Sequence, residues 1–422
     1  MKKNKKAKST GAKQAKETPT KKADWQAKMA TLRLWLKEEK STVVVLAIAA
    51  LAFVLSFARI HSEDFLHGAG EIFNVYGDEE VEFDTATVNE VLREETAPDE
   101  VVTDSSVGSQ ELLVTVTSGR YAGQQMKAYN YFGALGGIPV RVKDSVTLTI
   151  KTHADGELSA TVYEFFRIPA LTFFLLVFIA ATFAIGRLTG LKSLFGLLFT
   201  GVCLFTILVP LLIKGAPAVP TTFAVCSYVA LVCFVVLGGV HRKSMCAFLG
   251  TVAGMSLSML FGLAMQWFAR IDGLRLDDAE SLYQLGYYEG IMIDIRGLLV
   301  ASIIICSLGA VMDVAMSISS ALEEIHVANP ALTQRELFES GMNLGRDMAG
   351  TMTNTLILAF AGGEFSLMVY IYARNDTFYH FISTGFIAIE AISGLSSSIG
   401  MILAIPLTAI ISSTLITRAW LD

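Results

Sequence analysis

The sequence predicts an all-helical polytopic membrane protein with about eight transmembrane helices and a small extracytoplasmic β-barrel-like domain. Of its 422 residues, 53% are apolar and only 17% are charged, and the mean hydropathy is +0.53. A chain of this composition is too apolar to form one water-soluble domain. A soluble enzyme is therefore excluded.

Eight stretches are long and apolar enough to span a membrane. A span needs about 20 predominantly apolar residues, because the bilayer core is about 30 Å thick and a helix rises about 1.5 Å per residue. The predicted spans are 42–60, 168–186, 192–213, 221–240, 245–268, 292–321, 348–373 and 396–417. The apolar segment 378–393 is too short to cross alone. It is either a re-entrant or interfacial half-helix or, with the eighth span, part of one long tilted helix.

Lysine and arginine set the predicted orientation, since cytoplasmic loops are enriched in these residues. One side of an eight-span topology receives the Lys-rich N-terminus, Arg187, Lys192, Arg242, Lys243, the 335–346 segment and Arg418. We therefore predict that both termini, and the loop 322–347, lie in the cytoplasm. After Asn329-Pro330, this loop contains a capping box from Thr333 to Glu336 that opens a short amphipathic helix. The loop is either a connector or a gate or docking element.

The first 41 residues are predicted to be a disordered cytoplasmic tail. Residues 1–40 hold twelve Lys and one Arg against four acidic residues, so the segment repels itself. It either binds anionic lipid or only orients the chain. Nucleic-acid binding is not expected, because no stacking aromatics interleave the lysines. The 42–60 stretch is interpreted as a membrane anchor rather than a cleaved signal peptide, since no clear cleavage site follows it.

Residues 61–167 are predicted to form the extracytoplasmic domain, an acidic segment followed by a small β-domain. Alternating or aromatic-rich runs occupy residues 112–118, 126–132, 146–152 and 157–165, with a turn at Asp155-Gly156. Four or five short strands with glycine turns suggest a barrel of the oligonucleotide/oligosaccharide-binding type. Residues 61–111 hold fifteen acidic residues and one Arg. This acidic stretch is either a solvated face or a surface that gathers cations.

The chain carries no motif for catalysis, metal binding or a cofactor. Its five cysteines lie in apolar stretches without a CxxC spacing, so they are expected to be packing residues: Cys203, Cys226, Cys233, Cys246 and Cys306. No HExxH motif, Ser/Lys dyad or P-loop is present. We expect no enzyme activity, no catalytic residue, no metal and no cofactor.

Ionisable side chains inside spans are costly, so each is a candidate functional group. In the sixth span, Asp313, Ser317 and Ser320 lie at i, i+4 and i+7 and share one helical face. Asp313 lies about two turns inside the membrane, where it needs a partner, a proton or a water-filled cavity. The alternative is a packing role, with Asp313 hydrogen-bonded to a neighbouring helix.

The seventh span carries a second polar face, formed by Asp347, Thr351 and Asn354. Gly362-Gly363 then interrupt the span and Glu364 follows at once. A broken helix exposes backbone polar groups at depth, which points to the binding site of a transporter.

Glu390 lies beside a Gly- and Ser-rich segment that is predicted to be a second break. The predicted path of a substrate or ion comprises Asp313, Ser317, Ser320, Asp347, Thr351, Asn354, Glu364 and Glu390. For the two glutamates the rival explanation is that they extend to the outer interface.

The fifth span has a separate pattern of small residues at four-residue spacing that favours close helix packing: Gly250, Gly254, Ser258 and Gly262.

Three segments resemble a known family: LGAVMDVAMSISSALEEI, NPALTQRELFESGMNLGRDMAGTMTNTLILAFAGG and SSSIGMILAIPLTAII. They are similar to the YibE/F-like family of bacterial multi-pass membrane proteins, and the resemblance covers roughly residues 110–417. It implies a bacterial plasma membrane location but no reaction, because the role of the family is unassigned. The positions that match the motifs of the family are Asp313, Arg346, Asp347, Thr351, Thr353 and Asn354.

The functional hypothesis is a secondary transporter or permease for an ion or small solute. Asp313 would bind a coupling proton or cation, Thr351 and Asn354 would line the site, and Glu364 or Glu390 would serve its outer mouth. The alternative is a non-transporting membrane scaffold or sensor whose outer β-domain binds a ligand or protein. Expected partners are the lipid bilayer, the unknown ion or solute, and either a second copy of the chain or a partner membrane subunit.

Overall fold

The structure, a computed structural model, describes residues 50–51, 53–54, 80–100, 102, 105–133, 136–153, 158–271, 273–274, 279–289, 293–374 and 377–417. The predictions for the Lys-rich tail 1–41, most of the anchor 42–60, the Asp155-Gly156 turn and Arg418 lie outside these residues. The chain divides into two compact units, Ala58–Phe195 and a second that joins Met1–Phe57 with Gly196–Asp422. Each unit is described by itself.

The first unit contains a closed five-stranded β-barrel in the order β1-β2-β3-β5-β4. The strands are β1 Glu80–Pro98, β2 Ser106–Val116, β3 Gln125–Phe132, β4 Ser145–Thr152 and β5 Leu158–Phe165. Neighbouring strands are antiparallel except β3 and β5, which are parallel. Alternate residues point into the barrel, where Leu112, Val114 and Leu148 are fully buried. The predicted barrel is thus confirmed.

The described part of the acidic segment, from Glu80 onward, belongs to this barrel. Most of its described portion forms β1, which is 19 residues long and pairs with both β2 and β4. Its apolar residues Ala86 and Val88 point inward and are about 1% exposed, and Asp84 on the same face is 5% exposed, whereas Glu90, Glu94 and Glu95 are exposed. Period-two alternation therefore dominates the fold of this segment, even though its composition is acidic.

From Ile168 onward, the described residues are mostly helical. The α-helices are α1 Ile168–Cys203, α2 Val209–Ile213, α3 Ala218–Gly238, α4 Arg242–Ala269, α5 Ala279–Glu289, α6 Ile295–Ala328, α7 Gln334–Gly363, α8 Phe365–Ala373, α9 Phe378–Ser383 and α10 Gly385–Thr417. A π-helical turn, Leu204–Leu208, joins α1 to α2. Arg187 has a φ of 49° and breaks α1 into two spans.

Six described helical segments are long and apolar enough to cross a membrane, and the bent pair α7–α8 makes a seventh. These correspond to the second to eighth predicted spans. Of the first, only Ala50, Leu51, Phe53 and Val54 are described, as helix. The membrane class is therefore supported, with six or seven described spans where eight were predicted.

Within the second unit, α4, α6, α7 and α10 share a core that contains Val311, Ile318 and Ala404. The small residues of α4 lie along this contact. A Cβ atom built on Gly254 would meet Val311 of α6 and Ala404 of α10, and one built on Gly250 would meet Thr408 of α10. Small side chains let these helix backbones approach closely.

The structure defines the helical extent of two segments, 322–347 and 378–393. The 322–347 loop is almost entirely helical, because α6 continues to Ala328 and the Thr333–Glu336 capping box opens the 30-residue α7, not a short helix. Residues 378–393 are the short helix α9 and the start of α10, so from Gly385 onward the long-helix alternative describes the structure.

The second helix break, predicted beside Glu390, is absent, since α10 runs unbroken from Gly385 to Thr417. Its Ser and Gly residues are used for packing. Ser396, Ser397 and Gly400 are buried, and Ser397 Oγ donates to the Ile303 carbonyl of α6 at 3.4 Å. Small buried residues favour close contact between helices as readily as they favour a break.

Candidate functional site

The strongest candidate site lies where α7 ends and α8 begins. The two helices meet at an angle of 60°, and Glu364 is the single residue between them. The predicted break after Gly362-Gly363 is therefore confirmed. Its backbone remains hydrogen-bonded, since Glu364 N donates to the Phe360 carbonyl at 3.1 Å and the Glu364 carbonyl accepts from Met368 N at 3.0 Å.

A cavity of about 380 Å³ opens beside this bend, between α7–α8 and α10. It is lined by Ile357, Phe360, Ala361, Glu364, Leu367, Met368, Ile387, Glu390, Ala391, Gly394 and Leu395. Both glutamates of the predicted path line it and are half-buried. Two acidic side chains that are 26 positions apart in the sequence thus share one apolar cavity.

The other predicted acid, Asp313, lies on an outward face of α6. Asp313 and Ser317 are exposed and Ser320 is half-buried, while Val311, Val314 and other residues on the opposite face are fully buried. Among the residues that the structure describes, no side chain forms a hydrogen bond or ion pair with the Asp313 carboxylate. A carboxylate facing lipid at the centre of a helix costs about 2.5–3.5 kcal/mol, so this face requires water or another polar surface.

The exposed face of α6 that carries Asp313, Ser317 and Ser320 begins near the cavity lined by Glu364 and Glu390, here called the glutamate cavity. Cys306, on the same helical face as Asp313, is exposed and lies within electrostatic range of Glu390. α6 and α7 run antiparallel, with Gly345 of α7 against Ile318 of α6, and this register places Ile357 of the cavity level with Cys306. Seven residues of helix separate Cys306 from Asp313, a rise of about 10 Å.

The polar face of α7 points away from the core. Asp347, Thr351 and Asn354 are exposed, and none of them lines the glutamate cavity. Thr351 Oγ1 donates to the Met348 carbonyl of its own helix at 3.0 Å, so this hydroxyl is already satisfied. The structure therefore brings Glu364 and Glu390 together but not Asp347, Thr351 and Asn354 with them.

Two other residues matched by the family resemblance lie near this face. Arg346 Nη1 donates to Asn343 Oδ1 at 3.1 Å. The Thr353 hydroxyl is buried and has no hydrogen-bond partner among the described residues. Neither residue lines the glutamate cavity.

Sequence reasoning missed the apolar wall of the cavity and a supporting aspartate. Asp294 caps α6 by accepting from Gly297 N at 3.0 Å, and it also accepts from Ala218 N at the start of α3 at 3.2 Å. Its position just before an apolar run was a readable N-cap signal. No comparable signal identifies Phe360 or Leu395, because apolar residues in a span are expected everywhere.

The donor set of the site limits its chemistry. Among the described residues, no group of three or more His, Cys, Asp or Glu side chains could hold a metal ion. The cavity offers two carboxylates in an apolar wall, which suits binding of a positively charged group or a proton.

Several apolar helices of membrane-spanning length, one of them bent beside an acidic cavity, define the class of the molecule as a polytopic membrane protein. The model of the YibE/F-like protein family matches residues 174–418, more than half of the chain, and the chain belongs to this family. No curated protein and no solved structure matches the chain.

Proposed function

We propose that this protein is a secondary transporter or permease for an ion or small solute, in a bacterial plasma membrane with both termini in the cytoplasm. The observation that carries the proposal is the presence of Glu364 and Glu390 in one apolar cavity beside a bent span. Ionisable residues inside the membrane mark substrate and ion pathways. Burying such a side chain in the bilayer costs free energy, so these residues occur mainly where function requires them.

The cavity supplies the binding step of this proposal. Its volume of about 380 Å³ falls in the range of small-molecule sites, about 300–1,000 Å³. The carboxylates of Glu364 and Glu390 attract a cation or a proton. The apolar wall offers water no hydrogen-bond partners, so few water molecules compete with the cation. A low-dielectric wall strengthens the attraction of each carboxylate for its cation.

Asp313 is proposed as the coupling residue. It lies on an exposed face that begins at Cys306, whose thiol lies within electrostatic range of Glu390, and in this proposal a proton or cation that leaves the cavity follows this face along α6. Ser317 and Ser320 continue the face by two turns. Asp347, Thr351 and Asn354 line the neighbouring exposed face of α7 in this proposal.

The remaining partners are part of the same proposal. The β-barrel lies outside the cytoplasm, the Lys-rich tail contacts anionic lipid, and a second copy or a partner subunit covers the polar face of α6. No enzyme activity and no cofactor are involved.

Charge movement across reconstituted membranes tests the proposal. Proteoliposomes on a solid support would be exposed to concentration jumps of sodium, potassium, magnesium, choline and tetraphenylphosphonium chloride, and to pH jumps. We expect at least one of these to give a transient current that is absent from empty liposomes. The current should fall at least tenfold in Glu364→Gln and in Glu390→Gln.

Glu339→Gln is the matched control, since Glu339 is an exposed glutamate of α7 that pairs with Arg335 outside the cavity. It should retain the wild-type current. Currents that persist in both cavity variants, at equal protein incorporation, would contradict the proposal. A cellular phenotype of the protein that is unchanged in both glutamine variants but lost when residues 80–165 are removed would favour the scaffold or sensor alternative.

A further inference from the structure

The wall of the glutamate cavity has an unusual chemical composition. Among the described residues that line it, only Glu364 and Glu390 carry side-chain oxygen atoms, and the other nine carry hydrocarbon, a thioether or no side chain. The helical carbonyls around the bend are already engaged, as the bonds from Glu364 N to Phe360 and from Met368 N to Glu364 illustrate. A ligand therefore meets a surface that is almost entirely carbon, with Glu364 and Glu390 as its two acidic residues.

This wall provides too few oxygen ligands for an inorganic cation. Calcium takes six to eight oxygen ligands and magnesium demands a near-octahedral set, whereas two carboxylates leave most positions to water. That water would in turn lie against apolar side chains with few partners, which is unfavourable. The apolar wall thus disfavours a hydrated metal ion.

The same wall suits a cation that carries its own apolar surface. Phe360 offers an aromatic ring, and a cation over such a ring is attracted by its negative face. Met368 adapts its shape to irregular ligands because its side chain is unbranched and polarizable. The Phe360 side chain packs over Gly394, where a Cβ atom would be 3.4 Å from the ring.

We propose that the Glu364–Glu390 cavity binds an amphipathic organic cation, with its charged centre at the two carboxylates and its apolar groups against Phe360, Ile387 and Leu395. This inference rests on the proposed transport function and names the substrate class of the same site. Burial of apolar surface supplies affinity in proportion to the area removed from water, and the two glutamates supply charge selectivity.

Three probes that differ in charge and apolar surface test the inference on the purified full-length protein in detergent. Tetraphenylphosphonium is the amphipathic cation, triphenylphosphine oxide is its neutral relative, and tetramethylammonium is a small cation with little apolar surface. A ligand that binds the folded state raises the thermal midpoint with its concentration. We expect tetraphenylphosphonium to raise the midpoint and the other two to leave it unchanged.

Variants assign the effect to the cavity. Glu364→Gln and Glu390→Gln should each weaken tetraphenylphosphonium binding at least tenfold, while Glu339→Gln leaves it intact. Ala391→Leu keeps both charges but narrows the cavity, and it should weaken binding at least fivefold. Stabilisation by triphenylphosphine oxide equal to that by the cation, or undiminished binding in the double Gln variant, would overturn the inference.

The inference and the proposed function fail separately. Currents from sodium or potassium that depend on Glu364 and Glu390, without tetraphenylphosphonium binding, would overturn the substrate class and leave transport standing. Charge-selective tetraphenylphosphonium binding without any current would support the proposed binding site and contradict the proposed transport function.

Discussion

Ser258 of α4 and Gly400 of α10 touch so closely that a Cβ atom built on Gly400 would overlap Ser258 Oγ. Ser258 is fully buried, and Gly400 is buried as well. The contact lies in the helical core that positions α10, the helix that also carries Glu390. Its tightness indicates that this pair of helices is held by close packing of small residues.

Gly400→Ala is expected to destabilise the helical unit. The added methyl group forces α4 and α10 apart, and overpacking of this kind costs about 1–3 kcal/mol. The thermal midpoint of the purified protein in detergent measures the effect. Pairing Gly400→Ala with Ser258→Gly removes the overlapping hydroxyl and should recover part of the loss.

Gly350→Ala is the control for this substitution. Gly350 is an exposed glycine of α7 with no other atom within 4 Å of a Cβ, so an alanine there meets no obstacle. Because alanine is about 1 kcal/mol better than glycine in a helix, the midpoint should stay or rise. Equal stability of Gly400→Ala and wild type would contradict the packing argument.

The fold was largely predictable because spans and strands have strong periodic signals. The second to eighth spans coincide with described helices, and alternation located four of the five strands. The acidic β1 was missed as a strand because its composition masked its alternation. Serine and glycine in α10 were misleading, since the same residues serve a helix break or close packing and only tertiary contacts decide between them.

The barrel contains a buried hydrogen-bond network centred on Gln110 of β2. Its Oε1 accepts from Asn130 Nδ2 at 3.0 Å and from Val140 N at 2.9 Å, and its Nε2 donates to the Val140 carbonyl at 3.1 Å. Gln110 and Asn130 are 2% and 1% exposed. The network ties the connection between β3 and β4 to the barrel wall.

Gln110→Leu should leave the Val140 N–H and carbonyl without their Gln110 partner, and Asn130 Nδ2 with only its bond to the Ile138 carbonyl. An unsatisfied buried polar group costs about 1–3 kcal/mol, so the backbone amides of residues 136–144 should exchange with deuterium at least tenfold faster. Mass spectrometry of the exchanged full-length protein measures this. Gln125→Leu makes the same change at an exposed site of β3 and should not alter the exchange.

Glu164, at the end of β5, provides a pH-dependent prediction. The hydrogen bond from Arg167, then that from the backbone N–H of Phe165, holds its pKa below the usual value of 4.5. A lowered pKa in the folded state means that the contribution to stability is complete above the unfolded pKa. It is lost as the pH falls through the folded pKa.

A carboxyl-detected NMR titration of labelled glutamate tests this relationship. In wild type the Glu164 midpoint should lie below that of an exposed glutamate, and in Arg167→Gln it should move upward. The backbone bond from Phe165 remains in the variant, so the shift should be partly retained. An unchanged midpoint in Arg167→Gln would exclude the guanidinium as the main cause.

The candidate site was only partly predictable. Glu364 and Glu390 were identifiable because charged residues in apolar runs are rare. Their meeting in one cavity was not, since it depends on the 60° bend and on the packing of α10. The sequence also predicted one path through Asp313, Asp347 and the two glutamates. Helical spacing shows which residues share a face, but it does not show which part of the protein that face contacts.

Asp313 separates coupling from binding in the proposed mechanism. It lies about 10 Å along α6 from Cys306 and does not line the cavity, so Asp313→Asn leaves the cavity itself unchanged. We expect this variant to bind tetraphenylphosphonium with wild-type affinity but to lose at least tenfold of the transient current on a solid-supported membrane. Glu339→Gln should keep both properties. If Asp313→Asn retained the full current, Asp313 would not be the coupling residue, and a loss of binding together with current would place it within the binding site.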